Sequence, residues 1–181
     1  MILFFGPPGS GKSVQGQLLV ERNGWAWLST GELFRKSTDP EVLARLASGE
    51  LIDDALTNKV LADALGKIGN VPHIVLDGYP RNTDQAKWLI EHLESQNRRV
   101  SAIIVFQVPE EELTKRLAGR GRDEDNLDVI KRRLEIYHEQ TRPVLDFFKS
   151  ENMPLTIIDG VGEVAEIHER IQAAVEQLDL V

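Results

Sequence analysis

The sequence predicts an α/β protein with a doubly wound parallel sheet and helices on both of its faces. Three observations carry that prediction. Four short runs, Ile2–Phe5, His73–Leu76, Ala102–Gln107 and Leu155–Ile158, are mostly apolar at consecutive positions, as strands buried on both faces tend to be. Trp25–Leu28 adds a weaker fifth. Segments of helical character separate the runs, which is the alternation of βαβ units. The first run also passes directly into a glycine-rich loop, and sheets of this class bind ligands at the carboxyl ends of their strands.

Taken in order, Ile2–Phe5 is the first strand and Lys12–Arg22 the first helix. After Trp25–Leu28, the stretch Glu32–Leu65 reads as two or three short helices, because Asp39-Pro40 and Gly49 punctuate it. The run His73–Leu76 is followed by a helix over Thr83–Gln96, and Ala102–Gln107 by one over Glu110–Gly119. Leu127–Ser150 is helical with a break or kink near Arg142, since Pro143 lacks an N–H and its ring crowds the preceding turn. Leu155–Ile158 and a helix over Val164–Leu178 complete the series. Asp84, Pro109 and Asp128 fall near helix starts, where carboxylates and proline suit the first turn.

The 181 residues suit one domain, large enough to fold without a disulfide or metal staple. There are no cysteines, which excludes a disulfide framework, a thiol nucleophile and a cysteine zinc site, and fits a reducing compartment. A net charge of −8 argues against a non-specific nucleic-acid binder, because phosphate backbones need a basic face. Yet 13 of the 21 cations are arginine, the residue suited to gathering charge at an oxyanion site. No apolar run approaches the roughly 18 residues of a membrane span, and no signal-peptide pattern follows Met1. The expected partners are small molecules, with neither nucleic acid nor membrane.

Gly6-Pro7-Pro8-Gly9-Ser10-Gly11-Lys12-Ser13 matches G-x-x-x-x-G-K-S/T directly after a strand and directly before a helix. Glycines let the backbone curl so that several N–H groups meet one phosphate chain, and the helix adds its positive end. Lys12 reaches the β- and γ-phosphates in such a loop, and the Ser13 hydroxyl ligates Mg²⁺. Asp77, at the tip of the third strand, is the expected second holder of Mg²⁺, through water. Phosphoryl transfer further requires cationic donors around the reacting phosphates, and Arg81, Arg116, Arg120, Arg122 and Arg133 all fall at or near predicted element ends.

The motifs around these arginines resemble those of the nucleoside monophosphate kinases, most closely the short-lid adenylate kinases, over nearly the whole chain. Ser29-Thr30-Gly31-Glu32-Leu33-Phe34-Arg35 is similar to the family's S-T-G-D/E-x-x-R, and Gly49-Glu50-Leu51-Ile52 to its G-x-L-V. Asp77-Gly78-Tyr79-Pro80-Arg81 matches D-G-F/Y-P-R, with Gln85 four residues on. Arg116-Leu117-Ala118-Gly119-Arg120 resembles R-L/I-x-x-R, and Arg122-Asp123-Glu124-Asp125-Asn126 resembles R-x-D-D-N, with Arg133 eleven residues after Arg122.

The resemblance implies a P-loop sheet of five parallel strands in the order 2-3-1-4-5. It implies a core of residues 1–28, 60–118 and 127–181, a small NMP-binding insert at 29–59 and a minimal lid at 119–126. The implied reaction is MgATP + AMP ⇌ MgADP + ADP, in a cytoplasmic monomer without zinc. Gly9, Ser10, Gly11, Lys12, Ser13 and Val14 then wrap the ATP phosphates, Arg116 and Arg120 lie along ATP, and the backbone near Gly162 touches its adenine. Arg35 and Arg81 clamp the AMP phosphate, Thr30 and Gln85 read its base, and Glu50, Leu51, Ile52, Gly78, Tyr79 and Pro80 line that pocket. Arg122 and Arg133 close over the reacting phosphates.

Three spellings depart from the adenylate kinase pattern. Ser13-Val14 stands where the family usually writes Gly-Thr, Glu32 where it mostly has Asp, and Asn82 follows the arginine. The last two are more like the UMP/CMP kinases, which remain the alternative, whereas Thr30 and Gln85 favour adenine. A nucleotide-binding module without turnover is the other alternative. His73, His92, His138 and His168 show no metal spacing and are expected to be structural.

Overall fold

The computed structural model describes residues 1–121 and 126–180, with Arg120 described by its backbone alone. The expected residues Arg122 and Asp123–Asp125, and the Arg120 side chain, lie outside the described residues.

Among the described residues, five strands form one parallel sheet: β1 (Ile2–Phe5), β2 (Ala26–Ser29), β3 (Ile74–Asp77), β4 (Ala102–Gln107) and β5 (Leu155–Asp159). Their order is β2-β3-β1-β4-β5, as the family resemblance implied. Side chains alternate across β1 because successive Cβ atoms point to opposite faces. Leu3 and Phe5 enter one core layer with Leu76, Ile103 and Val105. Ile2 and Phe4 enter the other with Val75, Ile104 and Phe106. Both layers are covered over β1, β3 and β4, which is why these strands read as continuous apolar runs, whereas β5, also expected to be buried, lies at the sheet edge with Ile157 60% exposed.

The helices α1 (Lys12–Asn23), α2 (Thr30–Arg35), α3 (Pro40–Ser48), α4 (Asp54–Lys67), α5 (Thr83–Ser95), α6 (Glu110–Arg120), α7 (Leu127–Ile136), α8 (Pro143–Ser150) and α9 (Val164–Gln177) surround the sheet. Leu61 and Leu65 of α4, Leu89 and Leu93 of α5 and Val144 and Phe148 of α8 complete the first layer. Leu19 of α1 and Ile167, Ile171 and Val175 of α9 complete the second. Local chemistry sets the helix starts. Asp39, Asp53, Asn82 and Asn126 each accept a main-chain N–H of the first turn through their side chains.

The second expected helical stretch divides into α2, α3 and α4, of which α4 is 14 residues long rather than short. The strands β2 and β3 begin one residue later than their apolar runs, although the carbonyl of His73 already accepts from Ala26 N–H at 3.0 Å. The kink expected near Pro143 is a π-helical turn over Tyr137–Thr141, in which Arg142 N–H donates to Tyr137 O at 2.8 Å. The extra residue in that turn realigns the chain so that Pro143, which has no N–H to offer, opens α8. No helix among the described residues is long and apolar enough to cross a membrane.

Candidate active site

The carboxyl ends of β1, β2 and β3 end level with one another. Phe4 is opposite Asp77, and Asp77 opposite Ser29, in the two parallel registers. The loop after β1, the turn after β3 and the start of α2 therefore share one rim, and they border a cavity of about 650 Å³.

At one side of this cavity lies the phosphate loop. Gly9 has φ +84°, and a Cβ there would stand 2.8 Å from Leu117 Cγ, so glycine alone lets the loop lie this close to α6. The Lys12 ammonium donates to the carbonyls of Gly6 (2.7 Å) and Pro7 (2.9 Å) and to Ser10 Oγ (3.3 Å). Gly9, Gly11, Lys12, Ser13 and Val14 line the cavity, with Val14 51% exposed. Ser10 is only 1% exposed and sits beneath the loop, its N–H donating to Pro7 O at 3.2 Å.

The Ser13 hydroxyl donates to Asp77 Oδ2 at 2.9 Å, joining the first turn of α1 to the end of β3. Asp77 is buried, and its other oxygen, Oδ1, has no partner among the described residues. A buried, half-satisfied carboxylate beside a hydroxyl is a donor set of the hard oxygen type that Mg²⁺ takes, directly or through water. No group of three or more His, Asp or Glu among the described residues could otherwise hold a metal ion.

The turn Gly78–Arg81 and the start of α2 form the opposite side. Thr30 Oγ1 donates to Gly78 O at 2.9 Å, and Arg81 Nε donates to the same carbonyl at 2.8 Å. Burial pushes the Arg81 guanidinium below its ordinary pKa; Asp77 opposes that and the like charge of Arg35 adds to it. Arg35 and Arg81 both line the cavity, where an anion would offset their like charges. Glu50, Leu51, Ile52, Gly78, Tyr79, Pro80 and Gln85 line the same region. The Tyr79 hydroxyl donates to Gln85 O at 3.1 Å and contacts Asn58, and burial raises its pKa, with the charge of Asp54 adding to the effect.

Arg116 lines the cavity from α6, its Nε donating to Glu112 Oε1 at 2.7 Å. Arg133 reaches it from α7 and also donates to Leu46 O of α3. Gly162 borders the end of the cavity beside Val164, in a loop pinned by Arg170 Nη1, which donates to Asp159 O and Val161 O at 2.7 Å each.

Some lining groups escaped the sequence reading. Gln15 is buried, lines the cavity, donates to Val164 O at 2.8 Å, and has no partner for its Oε1 among the described residues. Tyr137 and Thr141 line it from the π-helical turn, for which the sequence offers no signal beyond Pro143. Asp54 is the second of two adjacent carboxylates at a helix start. Asp53 caps α4, whereas Asp54 accepts from Gln85 Nε2 at 2.7 Å and from Asn82 Nδ2 at 2.9 and 3.1 Å.

Two of the departures from the adenylate kinase pattern have local structural uses. Glu32 Oε1 accepts from Trp27 Nε1 at 3.2 Å and Gln17 Nε2 at 3.4 Å. Asn82 caps α5, its Oδ1 accepting from Gln85 N–H at 2.8 Å. These roles account for both residues without reference to a pyrimidine acceptor.

Comparison with known proteins identifies the family. The family model described as adenylate kinase matches residues 4–153. The adenylate kinase of Mycolicibacterium vanbaalenii is 41% identical over 175 residues, covering 93% of this chain and 95% of that protein. That of Mycolicibacterium smegmatis is 36% identical over 182 residues, covering 97% and 99%. That of Mycobacterium tuberculosis is 38% identical over 175 residues, covering 93% and 95%. A match of this extent, on a chain whose phosphate loop and arginine-bearing turn border one cavity, shows that the chain belongs to the adenylate kinase family of nucleoside monophosphate kinases.

Proposed function

We propose that this member of the family catalyses MgATP + AMP ⇌ MgADP + ADP with the residues gathered around the cavity. The observation that carries the reading is that Lys12, Ser13 and Asp77 share one cavity with Arg35, Arg81, Thr30 and Gln85. A cavity so lined has room for a donor phosphate chain and an acceptor phosphate in line. Such transfer asks for positioning and charge stabilisation rather than covalent chemistry by the protein.

In this reading Gly9–Val14 hold the ATP phosphates and Lys12 leaves its loop carbonyls to bridge the donor and the transferring group. Arg35 and Arg81 take the AMP phosphate, one oxygen of which attacks the γ-phosphorus. The bond from that phosphorus to the β–γ bridging oxygen breaks, and ADP leaves from each side. A phosphate oxygen is already nucleophilic, so no general base is needed. Arg116, Arg120, Arg122 and Arg133 spread the charge that builds on the transferring group. Ser13 and Asp77, the latter through water, are the residues suited to hold Mg²⁺, which when bound neutralises phosphate charge. Thr30 and Gln85 read the acceptor base, and the wall at Glu50–Ile52 and Gly78–Pro80 encloses it.

Residues 29–59 act as the NMP-binding insert and 119–126 as the lid, closing over the substrates to exclude water. The protein works as a cytoplasmic monomer. The test is phosphoryl transfer from MgATP to AMP, CMP, UMP and GMP, with products resolved by chromatography. A strong preference for AMP is expected; a pyrimidine preference, or no diphosphate formed at all, would overturn the reading.

A further inference from the structure

The amide of Gln85 is only 2% exposed, yet it borders the cavity, and both of its ends are already engaged. Its Oε1 accepts from the main-chain N–H of Arg81 at 2.7 Å, and its Nε2 donates to Asp54 Oδ1 at 2.7 Å. An ionised carboxylate only accepts and a main-chain N–H only donates. The amide therefore has one permitted orientation. Turned over, it would set N–H against N–H and oxygen against carboxylate in a buried place, where such mismatches are costly. Asp54 is itself fixed. It is the first residue of α4, and its carboxylate also accepts both contacts from Asn82 Nδ2, the cap of α5.

One N–H on Nε2 and one lone pair on Oε1 remain for a ligand. That pair complements a base edge with a ring-nitrogen acceptor beside an exocyclic amino donor, which is the N1 and 6-amino edge of adenine. A 6-oxopurine presents the reverse, an N1–H donor beside an O6 acceptor, and would need the amide turned over. We propose that Asp54 is a specificity-determining positioning residue, which locks the Gln85 amide in the orientation that accepts a 6-aminopurine and refuses a 6-oxopurine. This rests on the reading of Gln85 as the reader of the acceptor base.

Asp54→Asn is nearly isosteric and tests the lock. Asn82 keeps the introduced oxygen, so the new NH₂ turns toward Gln85 and favours the flipped amide. Steady-state kcat and KM would be measured for the parent protein, Asp54→Asn, Asp54→Glu and Gln85→Ala, with AMP and with inosine monophosphate, alongside melting temperatures. For Asp54→Asn the KM for AMP is expected to rise about tenfold, and the ratio of kcat/KM for AMP over inosine monophosphate to fall at least about tenfold. Asp54→Glu, which still only accepts, is expected to recover much of that ratio. If Gln85→Ala leaves the KM for AMP unchanged, Gln85 does not read the base and the proposal falls with that reading. If Gln85→Ala raises KM but Asp54→Asn preserves the ratio, the reading stands and the lock is refuted. Equal losses with both nucleotides, accompanied by a lowered melting temperature, would assign Asp54 a purely structural role and refute the lock as well.

Discussion

Arg133 donates through Nη2 to the main-chain carbonyl of Leu46 at 3.1 Å, joining α7 to the last turn of α3 across 87 residues of sequence. The contact is reinforced at Gly49, which ends α3 at φ +77°, and where a Cβ would stand 3.0 Å from Val129 Cγ1 and 3.1 Å from Arg133 Cγ. The segment that carries the proposed AMP wall therefore rests directly on an arginine proposed to serve the transferring phosphate.

Gly49→Ala should separate these two elements. The left-handed backbone and the close approach both resist a methyl group, so stability should fall by about 1 kcal/mol or more. The KM for AMP should rise with it. Denaturant titration and steady-state kinetics check the pair; an unchanged KM would mean that the α3–α7 contact does not shape the acceptor site.

Ser13→Ala removes the hydroxyl that donates to Asp77 Oδ2 and leaves that carboxylate without its described partner. The Mg²⁺ concentration for half-maximal activity should rise about tenfold, the scale on which supporting ligands alter metal affinity. Direct calorimetry of Mg²⁺ with ADP and the protein reads the same change apart from turnover. If neither value moves, Ser13 plays no part in metal binding.

Arg81→Met deletes a half-buried guanidinium that lines the cavity together with Arg35 and Asp77. By analogy with other phosphoryl-transfer arginines, kcat/KM for AMP should fall by about 10³ or more. ATP affinity should change little, since the phosphate loop is untouched. An unaltered circular dichroism spectrum would show that the loss is not one of folding.

His73 and His168 carry a pH dependence. Burial lowers both below the ordinary value of 6.5; the N-terminal amine lowers His73 further, and Arg22 lowers His168 further. A contact with the Leu180 backbone and the charge of Glu169, respectively, oppose these shifts. The unfolded chain thus takes up these protons at a higher pH than the folded one does. Their contribution to stability is fully present above 6.5 and is lost as pH falls through the lowered folded values. The melting temperature should drop between pH 7 and pH 5, and His168→Gln should flatten that slope. A slope identical in the variant would remove His168 from the account.

The centre of the sheet was legible because burial of β1, β3 and β4 on both faces leaves a plain mark, consecutive apolar residues, a mark that the edge strand β5 carries without the same burial. The phosphate loop and the Asp77–Arg81 turn were legible because their chemistry needs fixed residue types at fixed spacing. Other features depend on relations that a linear reading lacks. Asp53 and Asp54 are chemically alike and adjacent, and only the packing of α4 against α5 makes one a cap and the other the partner of Gln85. Pro143 announces a disturbance, but whether the helix stops or rewinds depends on the bond between Arg142 N–H and Tyr137 O. Asn82 and Glu32 are spelled as in a different branch of the family, and only the packing shows that one caps α5 and the other accepts from Trp27.

The strand order has a consequence for how the protein comes into being. β1, synthesised before the other four strands of the sheet, occupies its middle, and its partners are Val75–Asp77 on one side and Ala102–Val105 on the other. More than half of the chain must be synthesised before its central strand can be paired on both edges. Until then the apolar strand Ile2–Phe5 keeps at least one edge unpaired, the kind of exposure that non-local sheets place in the care of chaperones.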